Sequence, residues 1–531
     1  RTMNLAERFL DQIKSRGKDI VLLDPNGTPV SGDELAIAIE AFASTLDAAG
    51  VQSGDRVLLQ LPNGSEFAIA AIAIWNVGGV VVLADPALPE AVFHDTVTIT
   101  GTRWRVVSPL VRWAQRLRPL VQSAMPRSVI IPTAPDPMQV ADLSLKRKAP
   151  NMGGRHREPA TRSSACEAMV LCTGGTTGIP KTVRLSHGGI ASVLDNVAEI
   201  VGTTHVPRFA ADTAPQVFYI LSMGKTAVVI RGSPRKRARR LLEHIFSGTV
   251  TAYFGPPAIW HHLETSVGDR TLPESFRLAV IGGATVTREM VQRIRSICSR
   301  DTRVVTVYGL TETGPVCSCE SETKLAWRHS GNLVGTEVGN TRVKMVETAT
   351  NGVGRILVES PSNMLGYATE FSGDGHTSGI STGDLGRLVK FHGKTCLVLM
   401  GREKDMIVRA GVNIYPAGLE PLLLSRERSP GTARWMNDCA LIGLWDNQIQ
   451  DERVILFFAA SERFGNTDRD LTKLMKQVTR VLGPANAPDH IIPLERIPRI
   501  GRQKKKDRAT LQRTAADLLS ARKPRLQMPE K

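Results

Sequence analysis

Residues suited to phosphate chemistry cluster between Val170 and His187, in the run VLCTGGTTGIPKTVRLSH. Thr173, Gly174, Gly175, Thr176, Thr177 and Gly178 follow the apolar run Ala168 to Leu171 and precede Pro180-Lys181. Glycines and threonines after a strand let backbone N–H groups and hydroxyls approach phosphate oxygens, and a nearby lysine adds charge. This is not a Walker loop, which needs Gly-Lys-Ser/Thr adjacent where a helix opens. Here Ile179-Pro180 separates Gly178 from Lys181, and proline removes a backbone donor. Composition alone equally permits a flexible surface loop.

A second group follows the strand pattern Val304 to Val307: Tyr308, Gly309, Leu310, Thr311, Glu312 and Thr313. Strand ends are where α/β folds bind ligands. Tyr308 can stack on a purine, Gly309 gives a tight turn, and Thr311 can bond an α-phosphate. Glu312 is a hard oxygen ligand suited to Mg²⁺. The same residue types also make an ordinary turn. Further on, Ser381-Thr382-Gly383-Asp384 reads as a turn before the strand Leu385 to Val389. Asp384 there can accept both ribose hydroxyls, or simply cap the turn.

The elements that must position these residues alternate. Asn4 caps a helix with Leu5, Phe9, Leu10 and Ile13 on one face, ending before Gly17. Val21 to Leu23 and the turn Asp24-Pro25-Asn26-Gly27 precede a capping box, Ser31 and Glu34, which opens a helix to about Ala49. Arg56 to Leu61, Ser65 to Asn76 and Val80 to Leu83 read as strand, helix and buried strand. Residues 135–166 read as a long exposed segment, partly disordered, with little apolar periodicity after Leu145. From Val250 the alternation resumes. Ala252 to Phe254 is a strand and Pro257 to Thr265 a helix; Leu278 to Ile281 runs into Gly282-Gly283-Ala284, and Arg288 to Cys298 is a helix. Turn-rich β segments fill Gly352 to Leu399, and a smaller α+β unit follows Gly401. Alternation of this kind calls for a parallel sheet with crossover helices.

At 531 residues the chain can hold two or more domains around a large core. Hydrophobic content of 42% and charged content of 22% suit a globular protein. The most apolar stretch, Phe67 to Leu83, is interrupted by Asn76 and two glycines, so no membrane span is expected. The amphipathic start lacks a signal peptide's apolar centre. Seven scattered cysteines form no disulfide framework, and Cys317-x-Cys319 has no partner pair for zinc; a reducing cytoplasm fits. The formal charge of +16 lies in separate clusters at Lys146 to Lys148, Arg155 to Arg162, Arg235 to Arg240 and Arg502 to Arg508. They are not interleaved with aromatics, which make only 5% of the chain, so nucleic-acid binding is not the expected function. Solvated faces, or attraction of ATP, CoA or an acidic carrier protein, account for the charge.

The motifs together resemble the adenylate-forming superfamily of acyl- and aryl-CoA ligases, peptide-synthetase adenylation domains and beetle luciferases. Its phosphate loop reads Thr-Ser-Gly-Thr-Thr-Gly-x-Pro-Lys-Gly; this chain has Gly174 for the serine and Thr182 for the last glycine. Tyr308 to Glu312 match its Tyr-Gly-x-Thr-Glu stretch, and Thr382 to Asp384 its Thr-Gly-Asp ribose site. Gly352-x-Gly354-Arg355-Ile356 and Met364-Leu365-Gly366-Tyr367 also fit. Gly401 to Asp405, then Gly411 to Pro416, resemble the boundary of a mobile C-terminal domain. The likeness spans roughly Leu5 to Leu511, with the motifs in the superfamily's order.

That resemblance implies an α/β fold. A large N-terminal domain (1–402) of mixed and parallel sheets with packed helices and a β-rich subdomain would precede a small mobile α+β C-terminal domain (403–531). It implies that Gly283 and Ala284 wall the adenine, Arg402 contacts the ribose, Lys404 is the hinge and Gly411 lies beside a pantetheine arm. The superfamily ends in Pro-x-x-x-x-Gly-Lys-x-x-Arg-x-x-Leu, whose lysine is catalytic. Here the segment reads IPRIGRQKKKDRATL. Counting from Arg508 and Leu511 selects Lys505; counting from Pro498 selects Lys504; Lys506 is adjacent, and the preceding glycine is missing. The Arg508 and Leu511 anchors favour Lys505. Many relatives also carry Pro-x-x-His-x-x-Gly, where this chain has Ala214-Pro215-Gln216-Val217-Phe218-Tyr219. Phe218 and Tyr219 would then wall an apolar pocket, or belong to the core.

The expected activity is ATP- and Mg²⁺-dependent conversion of a fatty or aromatic carboxylic acid to an acyl adenylate, then transfer to a thiol, most simply CoA. Lys505, Thr311 and Glu312 would be catalytic. Loading of a carrier protein, amide formation, or a non-catalytic ATP-binding module are the alternatives.

Overall fold

The structure, a computed structural model, describes residues 4–83, 98–107, 139–142, 159–173, 181–368, 379–409, 412–426, 429–446, 451–500 and 505–521. Among the described residues two large sheets dominate, one of thirteen strands and one of seven. In the larger sheet Ile20–Leu23, Thr226–Val229, Arg208–Ala211, Ala252–Gly255, Leu278–Ile281 and Arg303–Leu310 lie side by side and parallel. Beyond Arg303–Leu310 every pairing is antiparallel, through Gly314–Glu320, Asn332–Glu337, Lys394–Arg402, Ile380–Phe391, Gly354–Glu359 and Arg342–Val346.

Burial explains why the parallel strands read as unbroken apolar runs. Leu278 and Val280 enter one core, with Phe9, Trp75 and Phe218. Ala279 and Ile281 enter another, with Tyr253, Trp260 and Phe276. Alternate residues of one strand thus meet helices on opposite faces. The first helix, Leu5–Lys14, is capped by Asn4 as expected and inserts Phe9 against Trp75, ring centroids 5.8 Å apart. Gly32–Ala48 carries the Ser31/Glu34 capping box.

The seven-stranded sheet has parallel Val80–Leu83, Arg56–Gln60, Trp104–Val107 and Gln139–Asp142 on one side of Glu167–Thr173. On its other side Lys181–Ser186 pairs antiparallel. Within 135–166, expected as a long exposed and partly disordered segment, Gln139–Asp142 instead form an edge strand; residues 135–138 and 143–158 lie outside the described residues. The last large unit is a three-stranded sheet, Met436–Asp446, Asp451–Ala460 and His490–Leu494. Helices Pro416–Leu424 and Asp468–Leu482 cover one face and Arg508–Ala521 the other. No helix among the described residues is long and apolar enough to cross a membrane.

Candidate active site

The parallel strands deliver their C-terminal ends to one edge of the larger sheet. Arg303–Leu310 carries Tyr308 there, and its antiparallel partner Gly314–Glu320 returns after Thr311, Glu312 and Thr313. The tight turn therefore falls at 311–313. Gly309, expected to make it, instead pairs with Pro315 within the hairpin. A Cβ at Gly309 would lie 2.3 Å from the Gly314 carbonyl oxygen, so close strand approach is what requires glycine. Next door, Leu278–Ile281 ends at Gly282, where a Cβ would sit 3.1 Å from the Phe254 ring and 3.2 Å from the Val307 carbonyl oxygen. Gly283 and Ala284 follow on the same edge, just past Ile281, which pairs with Thr306 two residues before Tyr308.

Asp384 also departs from expectation: it lies within the strand Ile380–Phe391 rather than in a turn. Gly383, at φ +67°, makes the irregularity that lets 382–384 bulge against the neighbouring strand. Opposite Asp384 in register stands Arg402. Arg402 Nε is 2.6 Å from Asp384 Oδ1, and Tyr308 Oη donates to Asp384 Oδ2 at 2.7 Å. Arg402 also donates to the Thr382 carbonyl oxygen at 3.1 Å. The ring, the carboxylate and the guanidinium are one bonded unit built from three strands.

Burial pushes the Asp384 carboxyl pKa up, against the opposing pull of Arg402, Tyr308 and Lys505. Burial, reinforced by Asp384, pushes the Tyr308 phenol up as well, so it donates rather than ionises. A carboxylate offers about four acceptor positions. Two are used here, which leaves capacity for a vicinal diol.

Lys505, on the short strand Lys505–Lys506, is exposed and feels the charges of Arg402, Lys404, Asp384 and Asp405. Burial of its stem, followed by Arg402 and Lys404, lowers its pKa; Asp384 and Asp405 oppose them. Lys506 faces the other way. Its Nζ lies 2.6 Å from Glu420 Oε2 and donates to the Cys439 carbonyl oxygen. Lys504 lies outside the described residues.

Glu312 connects this edge to the second sheet. Tyr367 Oη donates to Glu312 Oε1 at 3.1 Å, and Met364 N donates to the Glu312 carbonyl oxygen at 2.8 Å. Gly366–Tyr367 pairs with Lys181–Ser186, Tyr367 opposite Val183. Two residues on, Lys181 stands opposite Thr173 at the mouth of the hairpin. Gly174, Gly175, Thr176, Thr177 and Gly178 lie outside the described residues, as does Gly411; of Thr173 and Lys181 only the strand positions are described. Glu312 fits Mg²⁺, which is bound through one or two carboxylates plus phosphates and waters. No group of three or more His, Cys, Asp or Glu side chains that could hold a metal occurs among the described residues.

Phe218 and Tyr219 part company. Phe218 is core, its ring 5.0 Å from Trp75 and 5.3 Å from Phe67. Tyr219 stacks on Phe254 at 6.3 Å and lines a narrow apolar cavity with Ile200, Met223 and Val280. Gln216 occupies the region of the missing histidine. Its Oε1 caps Asp212 N at 2.6 Å, and its Nε2 donates to the Phe254 carbonyl oxygen at 2.5 Å. Phe254 and Tyr367 were not singled out from sequence for the site. A strand-end position and a place in a matched motif were the available signals.

With this geometry in place, comparison with known proteins defines the class. The AMP-binding enzyme family matches residues 9–368, and the chain belongs to it. The chain is 27% identical over 448 residues to the medium/long-chain-fatty-acid–[acyl-carrier-protein] ligase FadD10 of Mycobacterium tuberculosis, covering 78% of each protein. It is 25% identical over 504 residues to 4-coumarate–CoA ligase 5 of Oryza sativa subsp. japonica, covering 89% of this chain and 88% of that one. The fold matches o-succinylbenzoate CoA synthetase (MenE) of Bacillus subtilis, solved with an acyl-adenylate intermediate. The TM-score is 0.74 at 20% identity, over 95% of this chain and 97% of that one. The protein is an AMP-forming ligase of the adenylate-forming class.

Proposed function

We propose that the chain activates an apolar carboxylic acid as its acyl adenylate and passes the acyl group to a thiol, CoA in the first instance. The observation that carries this is the convergence of Tyr308, Asp384, Arg402 and Lys505, from two architecturally distinct parts of the chain, on one sheet edge. In the first half-reaction the substrate carboxylate attacks the α-phosphorus of ATP and pyrophosphate leaves. Tyr308, with Gly283 and Ala284, would hold the adenine, and Asp384 and Arg402 the ribose. Thr311 would bond the α-phosphate. Thr173 to Gly178 and Lys181 would bind the departing phosphates, and Lys505 the charge developing at the α-phosphate. Such a reaction is accelerated mainly by positioning and electrostatic stabilisation. Glu312 would hold Mg²⁺, which when bound offsets phosphate charge.

The cavity beside Tyr219 and Phe254 is lined by apolar side chains and the Gln216 amide, but its volume of about 20 Å³ is that of one or two waters. An acyl tail would therefore enter only with movement of side chains such as Tyr219 or Met223. An acid with a charged far end would lose its hydration there without a partner. Residues from 403 onward would then move as a small domain about Lys404, bringing Gly411 beside the thiol's pantetheine arm. The likeness to FadD10 supports a second reading of the acceptor as a carrier-protein thiol. The free state of all seven cysteines suits a reducing cytoplasm.

The test is pyrophosphate release from ATP with octanoate, dodecanoate, benzoate and 4-coumarate, each with no acceptor, CoA or a holo-acyl carrier protein. Acid-dependent release, with the acyl group appearing on one thiol, is the expected result. ATP binding without release for any acid would instead identify a non-catalytic module.

A further inference from the structure

Glu420 lies about eighty residues before the lysine cluster, in the helix Pro416–Leu424, yet its carboxylate serves that cluster. The residue is 4% exposed and both oxygens are engaged. Oε2 meets Lys506 Nζ at 2.6 Å, while Oε1 accepts from Arg508 Nη2 at 2.9 Å and from Leu441 N at 2.8 Å. Each cation has further partners. Lys506 lies 3.6 Å from Asp438, and Arg508 donates to the Leu441 carbonyl oxygen and lies 3.6 Å from Asp405. Asp438 also pairs with Arg499, which stands opposite Lys506 in the two-stranded hairpin.

Adjacent side chains of a strand point to opposite faces. With Lys506 held inward, Lys505 is turned outward, toward Asp384 and Arg402. We propose that Glu420 is the positioning residue for Lys505: by gripping Lys506 and Arg508 it fixes the register of the hairpin and of the following helix. The inference rests on the reading of Lys505 as the adenylation lysine. Apolar residues of similar volume often stabilise as well as a buried ion pair, so stability alone is a weak reason for three buried charges. Register is a better one. A slip by one residue would send Lys505 into the core and present a neighbour to the nucleotide. Burial alone would lower the Lys506 pKa, but Glu420, Cys439 and Asp438 together raise it, so the grip persists at neutral pH.

Glu420→Gln keeps the shape and the acceptor for Leu441 N but removes the charge. Acid-dependent pyrophosphate release should fall about 100-fold, the scale of a small misplacement of a reacting group. Thioester formation from supplied acyl adenylate should stay within about twofold, because Lys505 acts only in the first half-reaction. On a Lys505→Ala background the same substitution should cost nothing more. Glu420→Asp should restore part of the rate. Equal loss in both half-reactions, or an additive loss on Lys505→Ala, would overturn the proposal. A second readout does not depend on turnover: amine labelling with mass spectrometry should find Lys505 reactive and Lys506 protected, and Glu420→Gln should expose Lys506. Protection unchanged in a folded Glu420→Gln protein would reject the grip. Absent pyrophosphate release from the unsubstituted enzyme would instead count against the proposed function.

Discussion

Lys505 and Lys506 are neighbours with the same charge and opposite physical roles. The Lys506 side chain is 19% exposed and bonded to Glu420, whereas Lys505 is exposed beside Asp384 and Arg402. Lys505→Ala should therefore lower adenylation by about 10²–10³-fold, as losing one electrostatic stabiliser does, while changing stability by less than about 0.5 kcal/mol. Transfer from supplied acyl adenylate should survive. Lys506→Ala removes one partner of a buried pair and should cost about 3 kcal/mol in urea unfolding. Indistinguishable unfolding of the two variants would remove the basis for separating them. Motif counting from Arg508 and Leu511 favours Lys505, but spacing carries no information about what would hold it in place. In the proposal, what would hold it is the pairing of Lys506 and Arg508 with Glu420 and of Lys506 with Asp438, residues remote in sequence and brought together only by packing against the three-stranded sheet. Asp384 teaches the same lesson in backbone terms. Its motif was legible, but the bulge at Gly383 depends on pairing with Gly354–Glu359 and was read as a turn.

Elements announced themselves wherever the determinant was local. Caps at Asn4 and at Ser31/Glu34, and the apolar run Leu278–Ile281, were legible because their partners lie within a few residues or because both faces are buried. Pro29–Ser31 and Gln139–Asp142 were not, since short edge strands owe their form to a neighbour elsewhere in the chain. The hairpin framing the phosphate run shows what such distant partners contribute. At its base Glu167 accepts from Arg56 at 2.7 and 2.9 Å and from Arg184 at 2.6 Å, tying three strands together. Burial would raise the Glu167 pKa, but the two guanidiniums outweigh it and the net shift is downward. A carboxylate shifted this way stabilises the fold above its ordinary pKa of about 4.5, and that contribution disappears as pH falls through the lower folded value. Glu167→Gln should thus cost about 3 kcal/mol at pH 7, where two largely buried cations lose their anion. The gap between variant and parent should narrow progressively below the ordinary carboxylate range. Urea denaturation at neutral and acid pH measures it, and a gap that widened in acid would contradict the assigned pairing.

At the scale of the whole molecule, the proposed site would be divided between units that meet just after Arg402. The strand ending there belongs to the large sheet, and Glu403–Asp405 forms a single 3₁₀ turn before the chain enters its last unit. Met406 and Tyr415, beyond that turn, pack into a cluster with Trp327, Leu333 and Met400. Lys505 lies near enough to the Asp384–Arg402 pair to feel both charges, the pose that the proposed first half-reaction would need. In the proposed second half-reaction a thiol would approach the acyl carbon from outside, so Lys505 would withdraw and the Tyr415 contact would open. Burial of one such side chain is worth about 1.5–3 kcal/mol, small enough to be reversed in each cycle. Lys404 sits in the middle of the turn about which that motion would occur. Proline tolerates the first turn of a helix, where its missing N–H has no intrahelical acceptor, and its fixed φ lies in the 3₁₀ range. Lys404→Pro should therefore preserve the observed pose and hold adenylation within about threefold, while denying the hinge its change in φ and slowing acyl transfer by about 100-fold or more. Single-turnover measurement of each half-reaction decides the matter. If both rates survive together, Lys404 is not the pivot; if both collapse together, the turn serves the observed pose and not its exchange for another.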